Sequence, residues 1–71
     1  MKKPKKPLLS DKQVFVLQSL AHGLNIDDIA QEMQISRRMV DVHIHAIKAA
    51  LKANTREQSV AIGIKKKIIK P

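Results

Sequence analysis

Cysteine, tryptophan and tyrosine are absent from this 71-residue chain, and Phe15 is its one aromatic residue. The lack of cysteine excludes a disulfide framework and a thiolate metal site, either of which would reinforce so small a fold. The lack of rings leaves the core to Ile, Leu, Val, Met and Ala, a composition that suits a compact helical bundle. No apolar run approaches the roughly 20 residues that a membrane span needs. The lysines near the amino terminus precede no apolar stretch of signal-peptide length, so the expected location is cytoplasmic, with no membrane partner. No glycine-rich phosphate loop is present, and no nucleophile, base and acid stand out as a set. Neither catalysis nor a cofactor is expected.

Acidic residues are scarce as well. Six Asp plus Glu face fourteen Lys plus Arg, a formal charge of +8 and a sequence pI near 10.2. Such an excess attracts polyanions, nucleic acid before anionic membrane. What the chain does have is 44% hydrophobic residues, too many for disorder. A domain of this size buries only about 60% of its unfolded surface. With no disulfide available, dimerisation is the expected reinforcement.

The most informative stretch runs from Ile26 to Leu51, IDDIAQEMQISRRMVDVHIHAIKAAL. Its apolar positions Ile29, Ala30, Met33, Ile35, Val40, Ile44, Ile47 and Leu51 fit two short helices crossing steeply through a tight turn. Asn25 is the expected cap of the first, with Asp27 and Asp28 in its first turn against the positive helix end. Ala30 is small where the next helix must cross closely. Met33-Gln34-Ile35-Ser36 makes the turn, with Ile35 as the buried pin and Ser36 as cap. The second helix runs from about Arg37 to Lys52, burying Val40, Ile44, Ile47 and Leu51 on one face. The opposite face carries Arg38, Asp41, Val42, His45, Lys48, Ala49 and Lys52. A protruding helix of this kind, in a chain this basic, is suited to the major groove of DNA.

Around this unit, Met1 to Pro7 (MKKPKKP) reads as an extended Lys/Pro arm, either a solvated linker or a reach toward phosphates. The expected boundaries are an arm over 1–8 and a domain over 9–69, its helix-turn-helix unit at about 26–52. Ser10 caps a first helix that buries Val16, Leu17, Leu20 and Ala21, and Gly23 ends it in a left-handed conformation. Phe15 lies off that stripe and either folds under the arm or stands at a protein contact. Thr55 caps a last helix from about Arg56 to Lys66 with Val60, Ala61 and Ile64 on one side. Gly63 inside that helix costs about 1 kcal/mol relative to Ala and has a use where another helix comes close.

These residues resemble the LuxR/GerE-type helix-turn-helix family, the DNA-binding output module of many bacterial response regulators and quorum-sensing receptors. The similarity runs from Leu9 to about Ile69. It is carried by Leu9-Ser10, Val16-Leu17, Leu20-Ala21 and Gly23; by Ile29-Ala30, Met33 and Ile35-Ser36; by Val40, His43, Ile47 and Leu51; and by Thr55-Arg56. The resemblance implies an all-α, four-helix helix-turn-helix bundle. It also implies a homodimer through the last helix, for which Val60, Gly63 and Ile64 are the expected contacts. The chain departs from the family at Asp41, where Lys or Arg is usual, and at Ala49-Ala50, where paired basic residues are common. Gln13 replaces the usual first-helix glutamate, and Lys52-Ala53 a Leu-Gly pair.

The expected DNA contacts are Arg37, Arg38, Val42, His43, His45, Lys48 and Lys52. Arg37 and Arg38 stand where the amino end of a helix already attracts phosphate. Val42 is placed to touch a thymine methyl. His45 donates to a phosphate or a base edge, and His43 to a phosphate or an interhelical carbonyl. Asp41 is expected to pair with Arg37 or Arg38 rather than accept from a cytosine amino group. His43 and His45 do not converge on one ion, because residues two apart on a helix point to different sides; no metal site is expected. The leading function is a sequence-specific transcription regulator binding double-stranded DNA as a homodimer. The alternative is a helix-turn-helix adaptor that binds RNA polymerase or another regulator, favoured by Asp41 and Ala49-Ala50. A third reading places the tail, Lys65–Lys67 with Ile68-Ile69, on an anionic membrane.

Overall fold

The computed structural model describes residues 8–71, so the amino-terminal arm lies outside the described residues. Four helices follow one another: α1 (Asp11–Ala21), α2 (Ile26–Met33), α3 (Arg37–Leu51) and α4 (Arg56–Lys65). The architecture is all-α, with α3 packed against each of the other three helices. Leu9, Val16, Leu17, Ile29, Ala30, Val40, Ile44, Ile47, Leu51 and Ile69 form the core. The whole inward stripe expected of α3 is therefore buried. On α1 Val16, Leu17 and Ser19 are buried, while Leu20 and Ala21 of the expected stripe are half-buried.

Every helix starts at a side-chain cap. The Ser10 hydroxyl accepts from the Gln13 amide at 3.2 Å, and the Gln13 carboxamide accepts from the Ser10 amide at 2.9 Å. Glutamine thus closes the capping box that a glutamate usually closes. Asn25 and Asp28 make the same reciprocal pair at the start of α2. Ser36 and Thr55 cap α3 and α4 through the amides of Met39 and Gln58.

The helices also end alike. The amide of Leu24 reaches the Ser19 carbonyl, Ile35 reaches Ala30, Ala53 reaches Lys48, and Ile68 reaches Gly63, all within 3.0 Å. Each bond closes a six-residue turn around a left-handed residue: Gly23, Gln34, Lys52 and Lys67. The residue after each left-handed one is apolar and packs against the core, as this helix ending favours. Ile35 accordingly pins its turn while half-buried rather than fully covered.

α4 corrects one expectation. Its inward residues are Ser59 and Gly63, while Val60 and Ile64 are half-buried and Ala61 is exposed. Ser59 satisfies its hydroxyl within the helix, donating to the Thr55 carbonyl at 3.0 Å. A Cβ built on Gly63 would stand 2.8 Å from Leu17 Cδ2 and 3.2 Å from Ile69 Cγ1. The close approach at this glycine is therefore made by the domain's own α1 and tail, and Gly63 is not on the surface of α4.

The tail corrects another. Ile69 is 4% exposed, and the Gln18 carboxamide clasps Lys70 by donating to its carbonyl at 2.7 Å and accepting from its amide at 2.9 Å. Ile68 is half-buried. The apolar pair that would have anchored a membrane-binding tail is engaged within the domain. Among the described residues no helix is long and apolar enough to cross a membrane.

Candidate nucleic-acid interface

Successive helical residues turn by about 100°, so Arg38, Val42, His45 and Ala49 fall within a sector of roughly 60° directly opposite the buried stripe of α3. All four are exposed, Val42 at 52%. Val42 and His45 face solvent, and the clasped tail lies on α1 rather than across α3. Lys48 and His43 lie on opposite shoulders of the helix, each half-buried, so His43 stands at the edge between core and surface. Lys52 follows the last helical residue in a left-handed conformation (φ 55°, ψ 41°). Its side chain therefore leaves the register of the α3 face on which the sequence places it.

The first turn of α3 combines Arg37, Arg38 and Met39 behind the Ser36 cap. Free backbone N–H groups and two guanidinium groups at one helix end make a favourable place for phosphate. Arg37, however, is already engaged. Its Nε lies 2.8 Å from Asp27 Oδ1 on α2, with both side chains largely exposed. This is the only ion pair among the described residues, and it replaces the expected pairing with Asp41 on the same helix. The physical reason is the tight turn: it brings the first turn of α2 beside the first turn of α3, and Asp28 is occupied in the capping box. The adjacent aspartates thus divide their work, one capping α2 and the other tethering α3.

The charges divide in the same way. α2 carries Asp27, Asp28 and Glu32 and no cation, whereas α3 carries Arg37, Arg38 and Lys48 against Asp41. Met39 is 44% exposed, a surface position that sequence reasoning missed because its spacing places it on the shoulder of the buried stripe. Phe15 is 42% exposed on α1. The amino-terminal arm that one reading folds over it lies outside the described residues.

The expected dimer contacts separate. Val60 and Ile64 remain half-covered on α4, but Gly63 faces inward.

Known proteins resemble the chain over nearly its whole length. The family model described as bacterial regulatory proteins, luxR family, matches residues 7–62. The transcriptional regulatory protein YdfI of Bacillus subtilis (strain 168) is 36% identical over 61 residues, covering 86% of this chain and 29% of that protein. The uncharacterized transcriptional regulatory protein YxjL of the same organism is 34% identical over 58 residues, covering 82% of this chain and 27% of that protein. The chain therefore spans under a third of the length of these relatives. The solved transcription factor GerE shares the fold with a TM-score of 0.86 at 22% identity, over 90% of this chain and 96% of that one. The response regulator ChrA of a heme-sensing two-component system superposes with a TM-score of 0.84 at 27% identity, over 94% of this chain and 33% of that one. The helix-turn-helix of α2 and α3, the four-helix order and the match over residues 7–62 lead to one conclusion: this chain belongs to the luxR family of bacterial regulatory proteins, a family of DNA-binding transcription regulators rather than enzymes.

Proposed function

We infer that the domain binds duplex DNA in a sequence-specific manner as a homodimer, with α3 in the major groove and α4 at the two-fold axis. The observation that carries this reading is the uncovered outward face of α3, on which Arg38, Val42 and His45 stand together. Arg38 and Lys48 contact phosphates, Lys52 contacts the backbone from the end of the helix, and His43 and His45 bond a phosphate or a base edge. Arg37 exchanges the Asp27 carboxylate for a phosphate when DNA arrives. Val60 and Ile64 supply apolar surface to the copy-to-copy contact, with Ala61 between them. Two copies read half-sites about one DNA turn apart. Such a protein works in the cytoplasm, at the nucleoid.

A titration against salt tests the electrostatic part. With roughly six phosphates neutralised per dimer, log affinity against log salt falls with a slope near −5. A slope close to zero overturns the reading. Arg38→Ala weakens binding to all sequences alike.

The second reading is an adaptor that binds RNA polymerase or another regulator. It is favoured by the carboxylate of Asp27 on Arg37 and by the exposed Asp41 on the same helix. A gel shift on random and on selected duplexes separates the two. An adaptor shows only weak binding that disappears at moderate salt, with no preferred sequence.

A further inference from the structure

Four large apolar side chains are exposed among the described residues: Leu8, Phe15, Met39 and Val42. Two of them are three residues apart on the first half of α3. At about 100° per residue they lie roughly 60° from each other, so they form a continuous strip from the helix shoulder to the centre of its outward face. Single exposed apolar residues are ordinary on any protein surface. An adjacent pair on a face otherwise made of Arg38, His45 and Asp41 gathers apolar surface in one place, as contact sites do.

We propose that Met39 and Val42 read the C5-methyl groups of pyrimidines in the major groove. The proposal rests on the DNA-binding reading above and names what that site recognises. Base edges in the major groove carry donors, acceptors and one apolar group, the methyl at C5 of thymine. An aliphatic side chain makes no hydrogen bond, so its sequence information comes from covering or not covering that methyl. The first half of a recognition helix is the part that meets base edges. Met39 brings a flexible, polarizable thioether that adjusts to the neighbouring base step, and Val42 a stiff branched one that does not. The pair is therefore suited to two successive methyl-bearing positions within a half-site. Met39 adds a second reading position beside the one that Val42 supplies.

The test uses the full chain and a preferred duplex selected from a random pool. Each thymidine is replaced in turn by deoxyuridine, which removes the methyl and leaves base pairing intact. Affinity is expected to fall about fourfold at one or two positions per half-site, the ratio that a single buried methyl implies. Moving 5-methylcytosine into a cytosine-substituted version of such a position restores part of the loss. Met39→Ala and Val42→Ala each abolish the sensitivity at one position, while helix content is kept and the melting temperature falls by only a few degrees, because about half of each side chain is exposed. Equal affinity for the thymidine and deoxyuridine duplexes overturns the proposal and leaves the DNA-binding reading intact. Sensitivity that survives in both variants also overturns it, since the methyl then acts through DNA shape. Failure to shift any duplex at low salt is a different result: it removes the DNA-binding reading itself.

Discussion

Arg37 opens α3 and Arg56 opens α4, each directly after a hydroxyl cap, yet the two helices meet the body of the domain differently. α3 inserts Val40, Ile44, Ile47 and Leu51, none more than 6% exposed. Long aliphatic side chains keep its axis away from its neighbours and leave the opposite face free of them. α4 turns Ser59 and Gly63 inward and comes close enough for Leu17 and Ile69 to fill the space of a missing Cβ. Its larger residues, Val60, Ile62 and Ile64, are left half-covered around the contact. The size of the inward residue thus decides what each outward face offers. α3 offers a charged rod, and α4 offers apolar shoulders on a helix lying flush with the fold.

The largest effects should follow this division. Ile47→Ala removes a side chain 1% exposed and is expected to cost about 2–5 kcal/mol in chemical denaturation. That is a large part of the roughly 4–10 kcal/mol expected for a domain of this size. Ile64→Ala on α4 should cost less, about 1–2 kcal/mol, because that side chain is only partly covered. Equal losses would mean that α4 seats its aliphatics as deeply as α3 does.

Gly63→Leu tests the close contact itself. Overpacking against Leu17 and Ile69 is expected to cost about 1–3 kcal/mol, whereas Ala61→Leu on the exposed side of the same helix should stay within about 0.5 kcal/mol. A neutral Gly63→Leu would show that the seam between α1 and α4 can open freely. At the end of α2, Gln34→Gly should stabilise by about 0.5 kcal/mol, the relief of left-handed strain less the entropy of a freer unfolded chain. A lowered melting temperature would show that the Gln34 side chain contributes more than its backbone loses.

The smallest change in stability is expected at the opening of α3. Asp27→Asn breaks a pair whose partners are 74% and 67% exposed, and surface pairs contribute only about 0–1 kcal/mol. Its effect belongs to binding: with no carboxylate for Arg37 to leave, duplex affinity rises, while the salt slope, set by the phosphates contacted in the complex, stays the same. A fall in duplex affinity for Asp27→Asn would mean that the carboxylate orients Arg37 rather than restrains it.

The same contrast explains what the sequence disclosed. Val40, Ile44, Ile47 and Leu51 could be read as a buried stripe because large aliphatics at i, i+4, i+7 and i+11 have no other common use. The inward pair of α4 is a serine and a glycine, which carry no hydropathy signal, so its aliphatics were assigned to one side. Caps were legible from Ser10, Asn25, Ser36 and Thr55, since those side chains act within three residues. Corners were not: Gln34, Lys52 and Lys67 hold left-handed positions where glycine is the usual signal. Contacts between distant residues were hidden for a different reason. Asp27 meets Arg37 through the angle of a turn, and Gln18 meets Lys70 across 52 positions. On α3, the spacing places Val42 at the centre of the outward face, whereas Met39 falls on the shoulder of the buried stripe.

The docked tail changes where the folding unit stops. The family match closes at residue 62 and α4 at Lys65, yet Ile69 plugs the notch over Gly63 and Lys70 is tied to the first helix. A fragment trimmed at either boundary would keep every helix-turn-helix residue and still have a hole between its first and last helices. Its last helix would lose the wedge that holds it in place, and any assembly through that helix would weaken before the outward face of α3 was touched.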